Sequence, residues 1–203
     1  MIDLTKIRGR KAEIIDQDKY QRSAVLLPIV KYQDRECILF EIRSQNLTIQ
    51  PGEICFPGGG TEPGDKNEEA TAVRETCEEL GLSKSDIRII GPLDILITPF
   101  QTIITPFVGT LADVKKIVPN KNEVESIFYV PIEFFLSTSP KTYFTKTTIS
   151  PPPDFPYNLL PNGKTYNWRT GSYPVYFYIY EDKIIWGITA RIVNNFIQIL
   201  KQD

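Results

Sequence analysis

Residues 58–82, GGGTEPGDKNEEATAVRETCEELGL, decide how this chain folds and where its chemistry lies. Seven acidic and two basic side chains give the segment a net charge of −5, in a chain of 203 residues whose formal net charge is −2. Like charges at this density destabilise a helix unless a cation binds among them. Carboxylate oxygens suit Mg²⁺ or Mn²⁺, and substrate phosphates commonly complete the coordination of these ions. The segment therefore predicts a divalent-metal site that acts on a phosphate compound.

The segment is predicted to contain one helix, which Asn67 can cap and Gly81 can end. At about 100° per residue, its expected apolar stripe consists of Ala70, Val73, Cys77 and Leu80. Three acids fall within roughly 40° of one another on the opposite side, namely Glu68, Glu75 and Glu79. One face is thus predicted to pack against the domain, and the other to coordinate an ion.

Two pairs of side chains on this helix have i,i+4 spacing. Glu75 and Glu79 can share an ion, and Arg74 and Glu78 form a second pair that can orient the site. The alternative is a solvated acidic face with a surface Arg–Glu pair. The order of the surrounding residues argues against that alternative, because Arg74, the acids and Gly81 follow a glycine-rich turn at defined spacings.

The order Arg74-Glu75-x-x-Glu78-Glu79-x-Gly81, after a glycine-rich turn, resembles the Nudix box, Gx5Ex7REUxEExGU, where U is a bulky aliphatic residue. Asp65 stands in place of the first Glu, one extra residue separates it from Arg74, and Thr76 fills an aliphatic position. The resemblance implies a Nudix hydrolase. Its implied fold is an α/β/α sandwich around a mixed β-sheet, which the predicted order of strands and helices also suits.

The longer spacing resembles the coenzyme A pyrophosphatase branch, whose second signature, LLTxRSx3Rx3Gx3FPGG, lies just upstream. Residues 39–44 read LFEIRS, and Gly52 and Phe56-Pro57-Gly58-Gly59 follow in register. Phe40-Glu41 replaces a Leu-Thr pair, and Thr48 replaces the second Arg. A Thr hydroxyl cannot supply the planar charged fork that Arg offers to a phosphate. The substrate therefore stays open within this branch.

Glu75 and Glu79 are expected to hold Mg²⁺ or Mn²⁺, with Glu78 assisting, so that the ion neutralises a pyrophosphate and activates a water. Arg74 is expected to orient Glu78. Because the chain contains no His, a carboxylate must take the proton of the water. The candidates for this base are Glu78, Glu123 and Glu125.

Arg43 and the backbone amides of Gly58, Gly59 and Gly60 are expected to approach the substrate phosphates. For Arg43, the alternative is an ordinary arginine at the end of a strand. The predicted catalytic set is therefore Arg74, Glu75, Glu78 and Glu79, and the predicted substrate-binding set is Arg43 with the three glycines.

Length and composition indicate one domain over residues 1–203 with a sizeable core. The near-neutral charge gives no nucleic-acid footprint, and no run approaches the roughly 18 apolar residues of a membrane span. Without a secretory segment at its start, the chain is expected to be cytoplasmic. Its three cysteines, Cys37, Cys55 and Cys77, are interpreted as reduced core thiols.

The remaining elements are predicted from periodicity and turn residues. A short helix is expected within residues 3–20, a hairpin over 23–42 around residues 33–35, and strands at 87–90, 94–98, 104–111 and 124–130. A helix is expected to begin over 131–136, and segments 141–149 and 175–180 are expected to pair. The last helix spans 189–200, with an apolar side made of Ile192, Phe196, Ile199 and Leu200.

Residues 151–168 form a proline- and aromatic-rich insertion between the two pairing segments. It is interpreted as a variable surface loop, or as a lid that offers an aromatic side chain to adenine or to a pantetheine arm. The aromatic candidates are Phe155, Tyr157, Tyr166 and Trp168.

The leading hypothesis is metal-dependent hydrolysis of a nucleoside diphosphate linked to another moiety. By resemblance, the substrate is coenzyme A or a derivative, and the products are 3′,5′-ADP and 4′-phosphopantetheine. The alternatives are an ADP-ribose or dinucleoside polyphosphate pyrophosphatase, a non-catalytic Nudix-fold nucleotide-binding module, and an isomerase of allylic diphosphates. Oligomeric state stays open, with a homodimer among the candidates.

Overall fold

The computed structural model describes residues 3–202 of the chain. Its main element is a mixed sheet of eight strands, which are β1 (Gln21–Tyr32), β2 (Arg35–Arg43), β3 (Ile54–Cys55), β4 (Gly58–Gly60), β5 (Ile87–Pro92), β6 (Leu96–Ile97), β7 (Thr102–Leu111) and β8 (Val124–Pro131). A second sheet of three strands contains β9 (Lys141–Thr147), β10 (Gly171–Tyr180) and β11 (Lys183–Trp186). The helices are α1 (Glu68–Leu80), α2 (Ile132–Ser137) and α3 (Gly187–Leu200).

Strand β1 organises the large sheet. It pairs antiparallel with β2 across a tight turn in which Gln33 and Asp34 have positive φ angles of 49° and 60°. On its other side it pairs in parallel with β7, over a register that runs from Gln21↔Thr102 to Ile29↔Thr110. The short strand β4 pairs antiparallel with β1, and β8 pairs antiparallel with β2. This mixture of parallel and antiparallel pairs confirms the predicted α/β class.

The large sheet has an apolar layer on each face, because alternate residues of a strand point to opposite sides. Leu26 of β1 lies in the cluster that includes Ala72 and Leu80 of α1. Leu27, the next residue, lies in the cluster that contains residues of α2, α3 and the three-stranded sheet. The result is the predicted α/β/α sandwich.

The predicted orientation of α1 is wrong. Its buried residues are Thr71, Ala72, Thr76, Glu79 and Leu80, whereas Ala70, Val73 and Cys77 are only half-buried. The two threonines are tolerated in the interface because their hydroxyls are satisfied: Thr76 Oγ1 donates to Ala72 O at 2.7 Å, and Thr71 Oγ1 donates to Asp65 Oδ2 at 2.8 Å. The helix is therefore rotated so that Glu79 faces the sheet.

Two further sequence predictions differ from the structure at the ends of the chain. Residues 3–20 contain two short 3₁₀ turns, Thr5–Ile7 and Gln17–Lys19, in place of the predicted helix. In α3, Ile192 and Phe196 are buried as predicted, but Leu200 is half exposed and Val193 and Ile197 take its place in the core. Nothing in the range 3–202 forms a helix long and apolar enough to cross a bilayer.

The predicted pairing of the segments on either side of the insertion is confirmed, since β9 and β10 are antiparallel neighbours. Within the insertion, Phe155 packs edge-on against Tyr157 and Trp168, and Tyr166 packs edge-on against Trp168. These aromatic rings contact one another in this conformation. A lid role for residues 151–168 stays a prediction.

Candidate active site

The ends of helix α1 are set by local residues, as predicted. The Asn67 side chain accepts a hydrogen bond from the Ala70 N–H at 2.9 Å, which satisfies one of the unpaired donors of the first turn. Gly81 adopts the left-handed conformation, with φ of 65°, and its N–H donates to Cys77 O. These caps fix which helical residues lie beside the glycine strand β4.

The glycine strand lies against α1 so closely that side chains are excluded. The Gly58 N–H donates to Glu79 Oε2 at 2.8 Å. Gly58 has a φ of 152°, and a Cβ there would collide with the backbone oxygen of Ala24 on β1. A Cβ on Gly59 would overlap the Glu75 carboxylate. Gly59 is therefore required by the close approach of the Glu75 carboxylate, and Gly58 by its positive φ and the close approach of β1.

Arg74 is the centre of a hydrogen-bonded network. Its Nε and Nη2 donate to the two carboxylate oxygens of Asp65, each at 3.0 Å, and Nη2 also donates to Gly60 O at 3.1 Å. Its Nη1 donates to Glu75 Oε1 at 2.9 Å and to Glu78 Oε2 at 3.2 Å. The predicted Arg74–Glu78 contact is present, but the bidentate partner is Asp65. Arg74 holds the pKa of the Asp65 carboxyl well below its ordinary value.

Glu75 and Glu79 lie in the interface between α1 and β4, whereas the Glu78 side chain is 54% exposed. The pKa of Glu79 is raised to about 8, by burial first and by the charges of Glu75 and Glu123, against the opposing effect of the Gly58 N–H. Burial likewise raises the pKa of Glu75, although Arg74 lowers it in part. These carboxylates are poorly compensated as anions, so a cation beside them would stabilise their charged forms.

The predicted metal ligands do not converge on one point in this conformation. Among residues 3–202, no three His, Cys, Asp or Glu side chains are grouped so that they could hold a metal ion. Glu78 is turned toward Arg74, and Glu79 toward the Gly58 amide. The assignment of Glu75, Glu78 and Glu79 as metal ligands therefore stays a prediction.

Two acids from outside the helix belong to the same neighbourhood. Glu41 on β2 is 1% exposed, and its pKa is raised well above the ordinary value, by burial first and by the charge of Glu79 next. Glu123 was one of three candidates for the base, and its charge also raises the pKa of Glu75 and Glu79. Its backbone oxygen accepts the Ser44 N–H at 2.8 Å, which places it at the end of β2. In the sequence, Glu41 stands out only as a departure from the coenzyme A signature.

A cavity of about 470 Å³ adjoins the glycine strand. Gly58, Gly59 and Arg43 contribute to its wall, and so do aromatic side chains from distant parts of the chain, namely Phe56, Phe100, Tyr173 and Trp186. Arg43 Nε donates a long hydrogen bond of 3.4 Å to Ile49 O. The charge of its guanidinium is therefore available to a ligand in the cavity. The aromatic residues proposed for the lid do not line this cavity, and those that do were not predicted from the sequence.

An acidic helix packed on a glycine strand that adjoins a cavity, within an α/β/α sandwich, defines a hydrolase of the Nudix class. The NUDIX domain family matches residues 19–146, and the chain belongs to this family as a Nudix pyrophosphohydrolase. Members of the family generally use divalent metal ions. The resemblance drawn from the sequence is thus confirmed.

Two of the relatives are named as coenzyme A diphosphatases. The chain is 34% identical over 158 residues to the peroxisomal coenzyme A diphosphatase NUDT7 of Mus musculus, covering 76% of this chain and 66% of that protein. It is 31% identical over 184 residues to the mitochondrial coenzyme A diphosphatase NUDT8 of Homo sapiens, covering 88% of this chain and 69% of that protein. Because the names of these relatives refer to two different organelles, the cytoplasmic location of the present chain stays a prediction.

A solved structure supports the fold alone. The MutT/nudix family protein from Enterococcus faecalis superposes with a TM-score of 0.54 at 12% sequence identity, over 98% of this chain and 68% of that chain. The likeness extends over almost the whole chain, so it includes elements beyond the matched domain.

Proposed function

We propose that this chain is a Mg²⁺- or Mn²⁺-dependent pyrophosphohydrolase that cleaves coenzyme A, or a derivative, to 3′,5′-ADP and 4′-phosphopantetheine. The observation that carries the proposal is the mixed lining of the cavity. Its wall contains Arg43 and the glycine strand together with aromatic side chains that include Tyr173 and Trp186. A substrate with a charged diphosphate and a long arm of low charge fits such a lining. The two coenzyme A diphosphatase relatives support the same substrate.

The residues present fit a divalent cation. Oxygen donors are the ligands that Mg²⁺ and Mn²⁺ prefer, and burial raises the pKa of both Glu75, which is half-buried beside Arg74, and Glu79, which is buried. These two side chains would hold the ion, with Glu78 assisting from the exposed side. When bound, the ion would supply Lewis-acid stabilisation of the phosphates and a water of lowered pKa.

The other residues position the substrate and the carboxylates. Arg74 fixes Glu75 and Glu78 through Nη1, while its bidentate contact with Asp65 keeps its own guanidinium in place. The Gly58 N–H donates to the Glu79 carboxylate, so the role of this amide is to orient Glu79. Phosphate contact then falls to Arg43 and to the backbone of Gly59 and Gly60, and a carboxylate such as Glu123 accepts the proton of the attacking water.

One observation favours a second candidate substrate class. Thr48, which replaces the second arginine of the coenzyme A signature, is exposed, and the acid Glu53 lines the cavity. A 3′-phosphate would meet less positive charge here than in a chain with that arginine. ADP-ribose and dinucleoside polyphosphates lack this group, so they are the alternative substrates.

The test is a hydrolysis panel with Mg²⁺ or Mn²⁺ in which products are resolved by chromatography. The panel contains coenzyme A, acetyl-coenzyme A, ADP-ribose, NADH and diadenosine polyphosphates. We expect the highest kcat/KM for coenzyme A, with 3′,5′-ADP as a product. Glu79→Gln should abolish turnover, and Glu69→Gln, which changes an exposed acid of the same helix, should not.

Each other outcome of the panel is informative. A higher kcat/KM for ADP-ribose or a dinucleoside polyphosphate would replace the substrate and keep the mechanism. Full activity of Glu79→Gln would refute the assignment of the metal ligands. Nucleotide binding without turnover of any compound would favour a non-catalytic binding module.

A further inference from the structure

Glu41 is a fully buried carboxylate to which the proposed mechanism gives no role. Both of its carboxylate oxygens are buried, and neither has a hydrogen-bonding partner within the described range. We propose that Glu41 is a further carboxylate of the cation site, facing the ion from the side of β2 while Glu75 and Glu79 face it from α1. This inference rests on the proposed metal-dependent function.

The geometry of the sheet directs Glu41 toward helix α1. Along β2, Ile38 and Phe40 contribute to the core on the α3 side, whereas Cys37 and Leu39 contribute to the core under α1. Glu41 continues the second series, because side chains alternate along a strand. Glu79 is the buried acid of α1, and it accepts the Gly58 N–H of β4, so both carboxylates lie between the sheet and α1.

The charges around Glu41 do not compensate a buried anion. Arg74 is committed to Asp65, Glu75 and Glu78. Arg43 attracts Glu41 electrostatically but lies in the wall of the cavity. An ionised carboxylate that is buried without a partner is strongly unfavourable. A divalent cation beside Glu79 would supply the missing positive charge.

This acid distinguishes the chain from the signature that it otherwise follows. The corresponding residue of the coenzyme A signature is Thr, which is neutral. Affinity for hard divalent cations rises with the number of carboxylates around the site. A chain with Glu41 is therefore expected to bind Mn²⁺ more tightly than the same chain with threonine at this position.

The experiment is a titration of the metal-free full-length protein with Mn²⁺, followed by the EPR signal of free Mn²⁺ and without substrate. Glu41→Gln removes the charge at nearly constant volume, and Glu41→Thr restores the residue of the signature. We expect both variants to bind Mn²⁺ about tenfold or more weakly, the scale on which supporting carboxylates affect metal affinity. Glu69→Gln is the matched control and should leave the affinity unchanged.

The reference variant Glu79→Gln separates this inference from the proposed function. If Glu79→Gln loses Mn²⁺ binding while both Glu41 variants retain the affinity of the unchanged protein, the role of Glu41 is refuted and the metal site stands. If Glu79→Gln also retains that affinity, the metal site itself is refuted.

Thermal unfolding distinguishes a weakened cation site from a damaged fold. Glu41→Gln removes a buried ionisable group without a partner, so the metal-free variant should have a Tm at or above that of the unchanged protein. The rise of Tm on addition of Mn²⁺ should be smaller in this variant. An equal rise would contradict the inference, and if Glu41→Gln does not fold, the same comparison is made with Glu41→Thr.

Discussion

Replacing Gly59 with alanine would place a methyl group against the carboxylate of Glu75. The added Cβ would lie 2.5 Å from Glu75 Cδ, whereas the optimal separation of non-bonded carbon atoms is about 3.5 Å. Glu75 must therefore move by about 1 Å. A displacement of this size at a catalytic group can lower the rate by about 100-fold, which corresponds to about 2.7 kcal/mol.

The expected result is a kcat/KM about 100-fold below that of the unchanged enzyme, with little loss of stability. Stability is spared because the group that yields is the end of a flexible side chain, and the backbone of Gly59 does not require a positive φ. Gly64→Ala is the matched control, since nothing lies within 4 Å of its added Cβ. Unchanged kcat/KM in Gly59→Ala would refute the reasoning. Loss of activity could also come from a direct clash between the new methyl group and the substrate. A titration with Mn²⁺ in the absence of substrate separates the two causes, because only a displaced Glu75 weakens metal binding.

Three further predictions concern helix α1. Asn67→Ala should lower the free energy of unfolding by about 1 kcal/mol in urea titrations, because the cap on the Ala70 N–H is lost, and Asn67→Asp should retain most of it. Arg74→Lys should lower kcat with folding intact, because lysine cannot form the bidentate contact with Asp65; equal kcat would contradict the role of this contact. In the presence of a chelator, the pKa of Glu79 near 8 lies above its unfolded value of 4.5, so the free energy of unfolding should decrease as pH rises between these values and should vary less in Glu79→Gln.

The features that the sequence predicted well are those decided by neighbouring residues. The turn at Gln33 and Asp34 fixed the first hairpin, and Asn67 and Gly81 fixed both ends of α1. The alternation of apolar residues was enough to locate the long strands of the large sheet. The roles of the predicted ligands on α1 remain open, because ion binding depends on side-chain positions that a spacing cannot specify.

The features that were missed depend on contacts between distant segments. The face of α1 was misjudged because Thr71 and Thr76 are buried where the helix packs on the sheet, and their hydroxyls are satisfied there by local hydrogen bonds. The cavity wall brings Phe100, Tyr173 and Trp186 together from three separate parts of the chain, and no local pattern marks them. An isolated acid inside an apolar strand, as at Glu41, was the one visible signal of the buried acidic neighbourhood.

The parallel pairing of β1 with β7 has a consequence for the order of folding. It joins residue 21 to residue 102, and the glycine strand β4 and helix α1 both lie within the crossover between these strands. Contacts over so long a separation form slowly because the entropy of loop closure must be overcome first. We therefore expect these two strands to dock late in folding. A cation that binds only among the assembled carboxylates of Glu41, Glu75 and Glu79 would prolong the lifetime of the native state without accelerating its formation.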